Sequence, residues 1–441
     1  MEGFMLRKSL QLAFIHAAVA MTLVPINSTL NRVMIKELAV SATLVAILAS
    51  LPYLFSPAQV VIGSYADRHP LLGRRRTAYI AFGLLLCVAG VILAPRAVFL
   101  MPENRPLGIL LSLLTFGAWG MGYNFASVSY LSLASELSGE KGRSRTIAIM
   151  WFLMIVGIIV TAAGLSRLLE PYSPALLENA FTIIALIALA LGGIGLLGLE
   201  PRDRTKDAPE PVTENRRPWG QLMREVMAYP SARIFFFYLI LMLAAILGQD
   251  VLLEPFAGEA FNLQVEATTR ITSIWGGCVL LTLSLANLME RKMGKKRVAQ
   301  LGAVVAAAGF VLIAASGIIA AKSGFYTGVV LLGLGTGLAT VSNLSLMLDM
   351  TTDQVGLFIG AWGVSNALAR LLGTVLGGVL RDVVTQVSLN AVAGYVVVFF
   401  VEAGLLVVSL VLLRRIDATA FAKHEREYST AEHAALLNDA A

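Results

Sequence analysis

Charge is what this chain has least of: Asp, Glu, Lys and Arg make up 14% of its 441 residues, where soluble domains carry roughly 25%. A water-facing globule is excluded, because 57% hydrophobic residues and a mean hydropathy of +0.77 leave too little polar surface to cover a core. Cysteine is almost absent. Cys87 and Cys278 both fall in apolar runs without partner spacing, which excludes a disulfide framework or thiolate metal centre and reads as packing. Of four histidines, only His16 lies inside an apolar run. There is no Asp-rich diphosphate site, no nucleotide loop and no Cys/His cluster, so the sequence offers no catalytic residues and no metal site. Away from their ends, the first six apolar runs contain no carboxylate, which removes the acid a proton-coupled carrier needs there.

What the chain does have is about twelve apolar runs long enough to cross ~30 Å of hydrocarbon. They lie near 9–28, 40–62, 78–95, 107–131, 146–168, 176–199, 234–252, 269–289, 299–320, 325–347, 356–378 and 392–413. The net charge of +6 does not point to nucleic acid, because the cations are gathered on no single face or arm. They alternate by loop. Of the 34 Lys and Arg, 25 fall on the side of the N-terminus: Arg7 and Lys8, Arg68 with Arg74–Arg76, Lys141 to Arg145, Arg202 to Arg233, Arg291 to Arg297, and Arg414 to Arg426. This asymmetry predicts a multi-pass protein with both termini in the cytoplasm and an uncleaved first helix.

The chain repeats itself. Gly63 to Arg76, with Asp67, Arg68, Gly73, Arg74, Arg75 and Arg76, returns in weaker form as Glu290, Arg291, Gly294, Lys295 and the cations that follow. Ala126 to Glu136 matches Ala339 to Asp349 at six of eleven positions, and Trp151 and Trp362 follow at nearly the same offset. Two copies in the same order imply parallel repeats. The predicted fold is therefore all-α: a 12-transmembrane-helix major facilitator superfamily fold of two six-helix pseudo-symmetric halves. Residues 1–199 form the first bundle, 200–233 a cytoplasmic linker with a short amphipathic helix over Trp219–Met227, 234–415 the second bundle and 416–441 a polar tail. The amphipathic segment suits the membrane surface or the cytoplasmic face of the bundle equally.

Asp67 at a helix end suits a latch, capping a neighbouring helix while pairing with Arg68 or another cation; the arginines alone equally suit anchorage on anionic lipid. The segment resembles the major facilitator loop signature, but four residues separate Arg68 from Gly73 where one is usual. Glu136 is expected to pair with Arg143 or Arg145, while Asp349 has no cation in the corresponding loop. Arg370 and Glu402 fall at matching depth in consecutive runs, which predicts a buried pair, functional or purely structural. His16 is either a packed imidazole or a ligand for a chlorin magnesium. Gln249, Asp250, Glu254 and Pro255 close the seventh run; Pro255 should end or kink the helix, with the two acids one turn apart. This end could hold a cation, cap a cavity or dock a partner, or be a plain terminus in water. The stretches Gly117–Gly122 and Gly333–Gly337 suit close helix packing or a hinge.

Leu30–Ile35, Asp67 to Ile80, Gln249 to Gly258, and Met347–Thr352 leading to Gly360–Gly363 together resemble the PucC/LhaA family, major-facilitator-like proteins of phototrophic bacteria. The resemblance runs from Leu6 to Arg415. It implies a light-harvesting antenna assembly factor in the inner or intracytoplasmic photosynthetic membrane, handling bacteriochlorophyll as its cofactor or cargo. Its implied partners are the lipid bilayer, antenna polypeptides or a photosynthetic complex, and pigment-synthesis enzymes. It supplies no agreed ligand or catalytic residues. A secondary transporter of a small organic solute or pigment precursor, and a static scaffold subunit, remain as alternatives.

Overall fold

The computed structural model describes residues 2–71, 73–200, 230–349 and 355–415, with the side chains of 2–5, 67, 139–141, 143, 144, 230–232, 348, 349 and 355–362 outside that set. The connector 201–229, with its expected helix over Trp219–Met227, and the tail 416–441 lie outside the described residues. Ten of the described helices are long and apolar enough to cross a membrane. A second span in three pieces and a 34-residue eleventh helix, Val355–Ser388, bring the bundle to twelve.

The first span is longer than its apolar run, extending from Leu6 to Glu37. Pro25 lacks an N–H, and the chain absorbs it in two π-helical turns, Pro25–Leu30 and Val33–Glu37, rather than by ending the helix. Asn31, Arg32 and Lys36, which sequence places beyond the span, are therefore carried on its last turns. The second span breaks at Pro52 and Pro57 into Ala42–Ala49, Leu51–Leu54 and Ala58–Arg68. Asn124 of the fourth span (Arg105–Ser138) donates to the Pro52 and Gly120 carbonyls at 2.9 and 2.8 Å, satisfying backbone that the break frees. Gly63, Asp67 and Arg68 thus lie on a helix, and the loop proper is His69–Arg76.

Helical backbone runs from Arg105 to Leu168, but Ser138 donates to Thr146 at 2.7 Å. Eight residues of straight helix would separate them by about 12 Å. The chain therefore reverses here, and the fifth span, Arg145–Leu168, runs back beside the fourth. The remaining spans are the third (Thr77–Phe99), sixth (Pro174–Leu196), seventh (Pro230–Gly248), eighth (Val265–Met293), ninth (Lys295–Ile318), tenth (Lys322–Asp349) and twelfth (Ala391–Arg414). Exposed Leu85, Leu114, Phe152, Ile187, Leu281 and Val311 clothe the outside, a surface suited to lipid and not to water.

The duplication is visible in the packing. A Cβ on Gly122 would meet the Gly83 carbonyl at 2.5 Å, and one on Gly335 would meet the Gly302 carbonyl at 2.6 Å. The third and fourth spans thus cross through glycine as the ninth and tenth do. Gly73 and Gly294 both take the left-handed backbone, at φ 70° and 84°, in equivalent loops. Across the halves, the second span packs on the eleventh and the fifth on the eighth, two pairings exchanged by the pseudo-twofold.

Candidate functional site

Two ends of the bundle can be told apart by their residues. At the Arg76 end, Lys8 and Gln11 of the first span bond the last carbonyls of the sixth, from Leu197 to Leu199. Glu200 accepts from the amides of Arg75, Arg76 and Thr77 at 2.8, 3.1 and 2.9 Å and from the Thr77 hydroxyl, capping the third span. Sequence assigned a capping role to Asp67, whose side chain is outside the described residues; at this helix the carboxylate is that of Glu200, which sequence read only as the start of the linker. Glu136 pairs with Arg76 at 3.5 Å, so the loop and the repeated helix meet; the side chain of Arg143, one of its two expected partners, lies outside the described residues. In the second half, Ser345 donates to Glu290 at 3.1 Å across the corresponding junction. Arg291 closes the eighth span beside Gly294, and Lys295 opens the ninth, reaching the Ser345 carbonyl at 3.5 Å.

At the opposite, Asp382 end, polar groups tie the halves together. The seventh span finishes in a 3₁₀ turn, Gln249–Val251, and a short helix, Leu253–Phe261, follows. Pro255 is the third residue of that helix, where no N–H is required, so the break falls before it at Leu252. Phe256 anchors the helix in the second half, against Phe325, Tyr395 and Phe399 at ring distances of 5.0–5.9 Å. The first half grips its other side. Lys36 bonds the Gly258 carbonyl, and Arg32, 1% exposed, donates to the Leu263 carbonyl at 2.9 Å and pairs with Glu37. A side chain at Gly258 would strike Lys36 at 2.9 Å. Glu254 accepts from Ser28 of the first half and, at 2.7 Å, from Thr272 of the second. Ser28–Lys36 and Glu254–Leu263, far apart in sequence and overlapping Leu30–Ile35 and Gln249–Gly258, are therefore one joint between the halves.

Further ties lie at the same end. Asp382 accepts from the Ala42 and Thr43 amides and the Thr43 hydroxyl at 3.1, 2.8 and 2.7 Å, capping the second span from the eleventh. Ser166 donates to the Glu266 carbonyl at 2.7 Å, Ser273 to the Ile159 carbonyl at 3.1 Å, and the Thr29 and Thr269 hydroxyls share a hydrogen bond of 3.0 Å. All of these hydrogen bonds join the halves, and they fall at this end.

Below the joint, Arg370 pairs with Asp250 at 3.1 Å and lies over the ring of Tyr53, 5.2 Å from its centroid. This corrects the expected Arg370–Glu402 pair. Glu402 is 4% exposed, both its oxygens lack a partner, and it packs against Gly248. Equal depth on consecutive helices was right for neither rotation nor partner, because Asp250 reaches Arg370 first. Asp250 and Glu254 do not act as one pair, since the 3₁₀ turn between them sends each to different partners.

His16 is packed between Tyr130 and Trp151, at ring distances of 5.0 and 5.9 Å, with Nδ1 sealed and unpartnered. Of its two ring nitrogens, Nδ1 is therefore closed to a ligand.

Two six-helix halves, joined across the Asp382 end, with the Asp250–Arg370 pair of the second half against Tyr53 of the first, have the major facilitator fold. The nucleoside transporter NupG superposes with a TM-score of 0.68 over 93% of this chain and 98% of its own, at 16% identity, a likeness of fold. A family model described as PUCC protein matches residues 29–421. Protein PucC of Cereibacter sphaeroides is 32% identical over 435 residues, covering 95% of this chain and 93% of that one. A Rhodobacter capsulatus protein named bacteriochlorophyll synthase 44.5 kDa chain is 30% identical over 411 residues, covering 91% and 93%. The chain belongs to the PucC family.

Proposed function

We propose that this protein is an assembly factor for light-harvesting antenna complexes, handling bacteriochlorophyll or nascent antenna polypeptides in the photosynthetic membrane without catalysing a reaction. The observation that carries the reading is the joint: Ser28–Lys36 and Glu254–Leu263, which overlap two of the segments that carry the family resemblance, Leu30–Ile35 and Gln249–Gly258, meet across the halves. What they specify is a mechanical coupling, because their Arg32 and Glu254 are engaged in contacts between the halves. The name of the Rhodobacter capsulatus relative links that protein to bacteriochlorophyll, and it supports a pigment-related role here. The distribution of cations supports cytoplasmic termini, which puts the Arg76 end in the cytoplasm and the tied end across the membrane. The same charge pattern and the two-half packing support bundles at 1–199 and 234–415 flanking a linker.

The test is gentle extraction of the tagged full-length chain from photosynthetic membranes. Antenna polypeptides or bacteriochlorophyll absorption should co-elute with it; a chain free of both contradicts the reading. A second reading, a secondary transporter, is favoured by one observation: Arg370 and Asp250 keep about a quarter of their side-chain surface open deep in the bundle. Gradient-driven uptake in reconstituted vesicles would support it.

A further inference from the structure

We propose that Arg370, with Asp250, Gln249 and Tyr53 around it, forms a binding site for an organic carboxylate in the space between the two halves. The inference stands on local geometry and does not depend on the assembly role.

The argument is an account of hydrogen-bonding capacity. Asp250 is satisfied: one carboxylate oxygen accepts from Gln249 at 2.9 Å and the other from Arg370 at 3.1 Å. Arg370 is not. A guanidinium has five N–H donors; Asp250 engages one nitrogen and the Tyr53 side chain takes a further hydrogen bond, which leaves donors over. In the interior of a bundle such donors need partners. Arg32 has a nitrogen that is sealed and unpaired, but no nitrogen of Arg370 is. Its spare donors are therefore open to an incoming group, and its side chain is 28% exposed. Within the Asp250–Arg370 pair the unmet capacity is on the cationic side, so the group that completes it is an anion.

The shape selects among anions. The fork of a guanidinium matches a planar carboxylate through two parallel bonds, and Asp250 already shows one carboxylate in place. Tyr53, contributed by the first half, lies against Arg370 at 5.2 Å and gives the ligand an apolar, aromatic wall. Gln249, 3% exposed, has a side-chain oxygen without a partner, available to an N–H or O–H on the ligand. Because Tyr53 and Arg370 belong to opposite halves, a bound carboxylate would contact both.

The experiment uses the purified full-length chain in lipid nanodiscs, titrated with benzoate, succinate and, as the uncharged match, benzamide, with binding followed by calorimetry and by the thermal midpoint. Benzoate or succinate should bind saturably and raise the midpoint, and benzamide should do neither. Arg370→Gln should abolish binding, and Arg370→Lys, which keeps the charge but loses the fork, should weaken it about tenfold. Asp250→Asn removes the resident competitor and should tighten binding several-fold, a gain that misfolding cannot imitate. Arg96→Gln, at an exposed pair with Glu178, serves as the unchanged control. The proposal is overturned if neither carboxylate binds the natural chain, if benzamide binds as well as benzoate, or if Asp250→Asn leaves the affinity where it was.

Discussion

Glu402 and Arg370 lie within the membrane-spanning bundle and differ in what surrounds them. Arg370 has a carboxylate and a ring, whereas Glu402 has no hydrogen-bond partner among the described residues. Removing one member of a buried ion pair leaves a charge stranded, at a cost of about 3–5 kcal/mol. Removing the ionisable oxygen of an unpartnered acid strands nothing. Glu402→Gln should therefore leave Tm unchanged or raise it by a few degrees in detergent, while Asp250→Leu should lower it by more than about 5 °C. A comparable fall in Glu402→Gln would show that Glu402 has a partner after all. Sequence found both residues by their rarity inside apolar runs, and that signal was sound. It could not choose the partner, because a helix's rotation about its axis is set by packing and not by the depth of a residue. Glu200 and Asp382 were missed for a related reason: at a predicted helix end an acid looks solvated, and only the fold brings a neighbouring helix N-terminus to it.

At the scale of elements, the short helix Leu253–Phe261 is the bridge, held by aromatic packing on one side and by Arg32, Lys36 and Ser28 on the other. Glu254 belongs to this connection between the seventh and eighth spans. Burial, which outweighs the Ser28 and Thr272 hydroxyls and the charge of Arg32, pushes its carboxyl up to about 7. A carboxyl with a higher pKa in the tied state than in water takes up a proton on closing. The tie is then at full strength below about pH 4.5, the ordinary value, and weakens as pH rises to about 7. The hydrogen-exchange protection of residues 28–37 and 253–262, taken relative to the intrinsic rate at each pH, should be greater at pH 5 than at pH 8, and Glu254→Gln should flatten the difference. An undiminished pH dependence in that variant would refute the assignment. The glycine crossings make a separate prediction. Gly335→Leu forces side-chain atoms into the backbone at Ala306, 2.4 Å from the position of a Cβ, and should cost at least about 1–3 kcal/mol. Gly117, whose Cβ position has only Phe55 within 4.0 Å, should accept Ala with little effect. Sequence suggested packing for both glycine stretches, but it could not separate the crowded positions from the open one. The π turns were also invisible to it, since Pro25 and Asn27 read as the end of a span when no neighbour is there to hold the chain helical.

At the scale of the whole molecule, the duplication was legible because it leaves paired marks: cations in equivalent loops, matched Ser-rich helices and glycines at equivalent offsets. The joint was not, because its two parts lie in different halves, 231 residues apart at the Arg32–Leu263 contact, and neither contains a residue type that announces a contact. A molecule tied at one end by buried hydrogen bonds and built on two pseudo-equivalent bundles is suited to hold or release something between or beside its halves. For a member of the PucC family, we read that something as the pigment and helices of the antenna. The most direct measurement is the antenna content of photosynthetic membranes from a strain lacking the gene, compared with the same strain complemented by the natural chain. The account predicts that the antenna complex falls while total bacteriochlorophyll synthesis stays near normal, and that the natural chain restores it. Antenna levels unchanged by the deletion, or a loss of pigment synthesis that fully explains the fall, would contradict it.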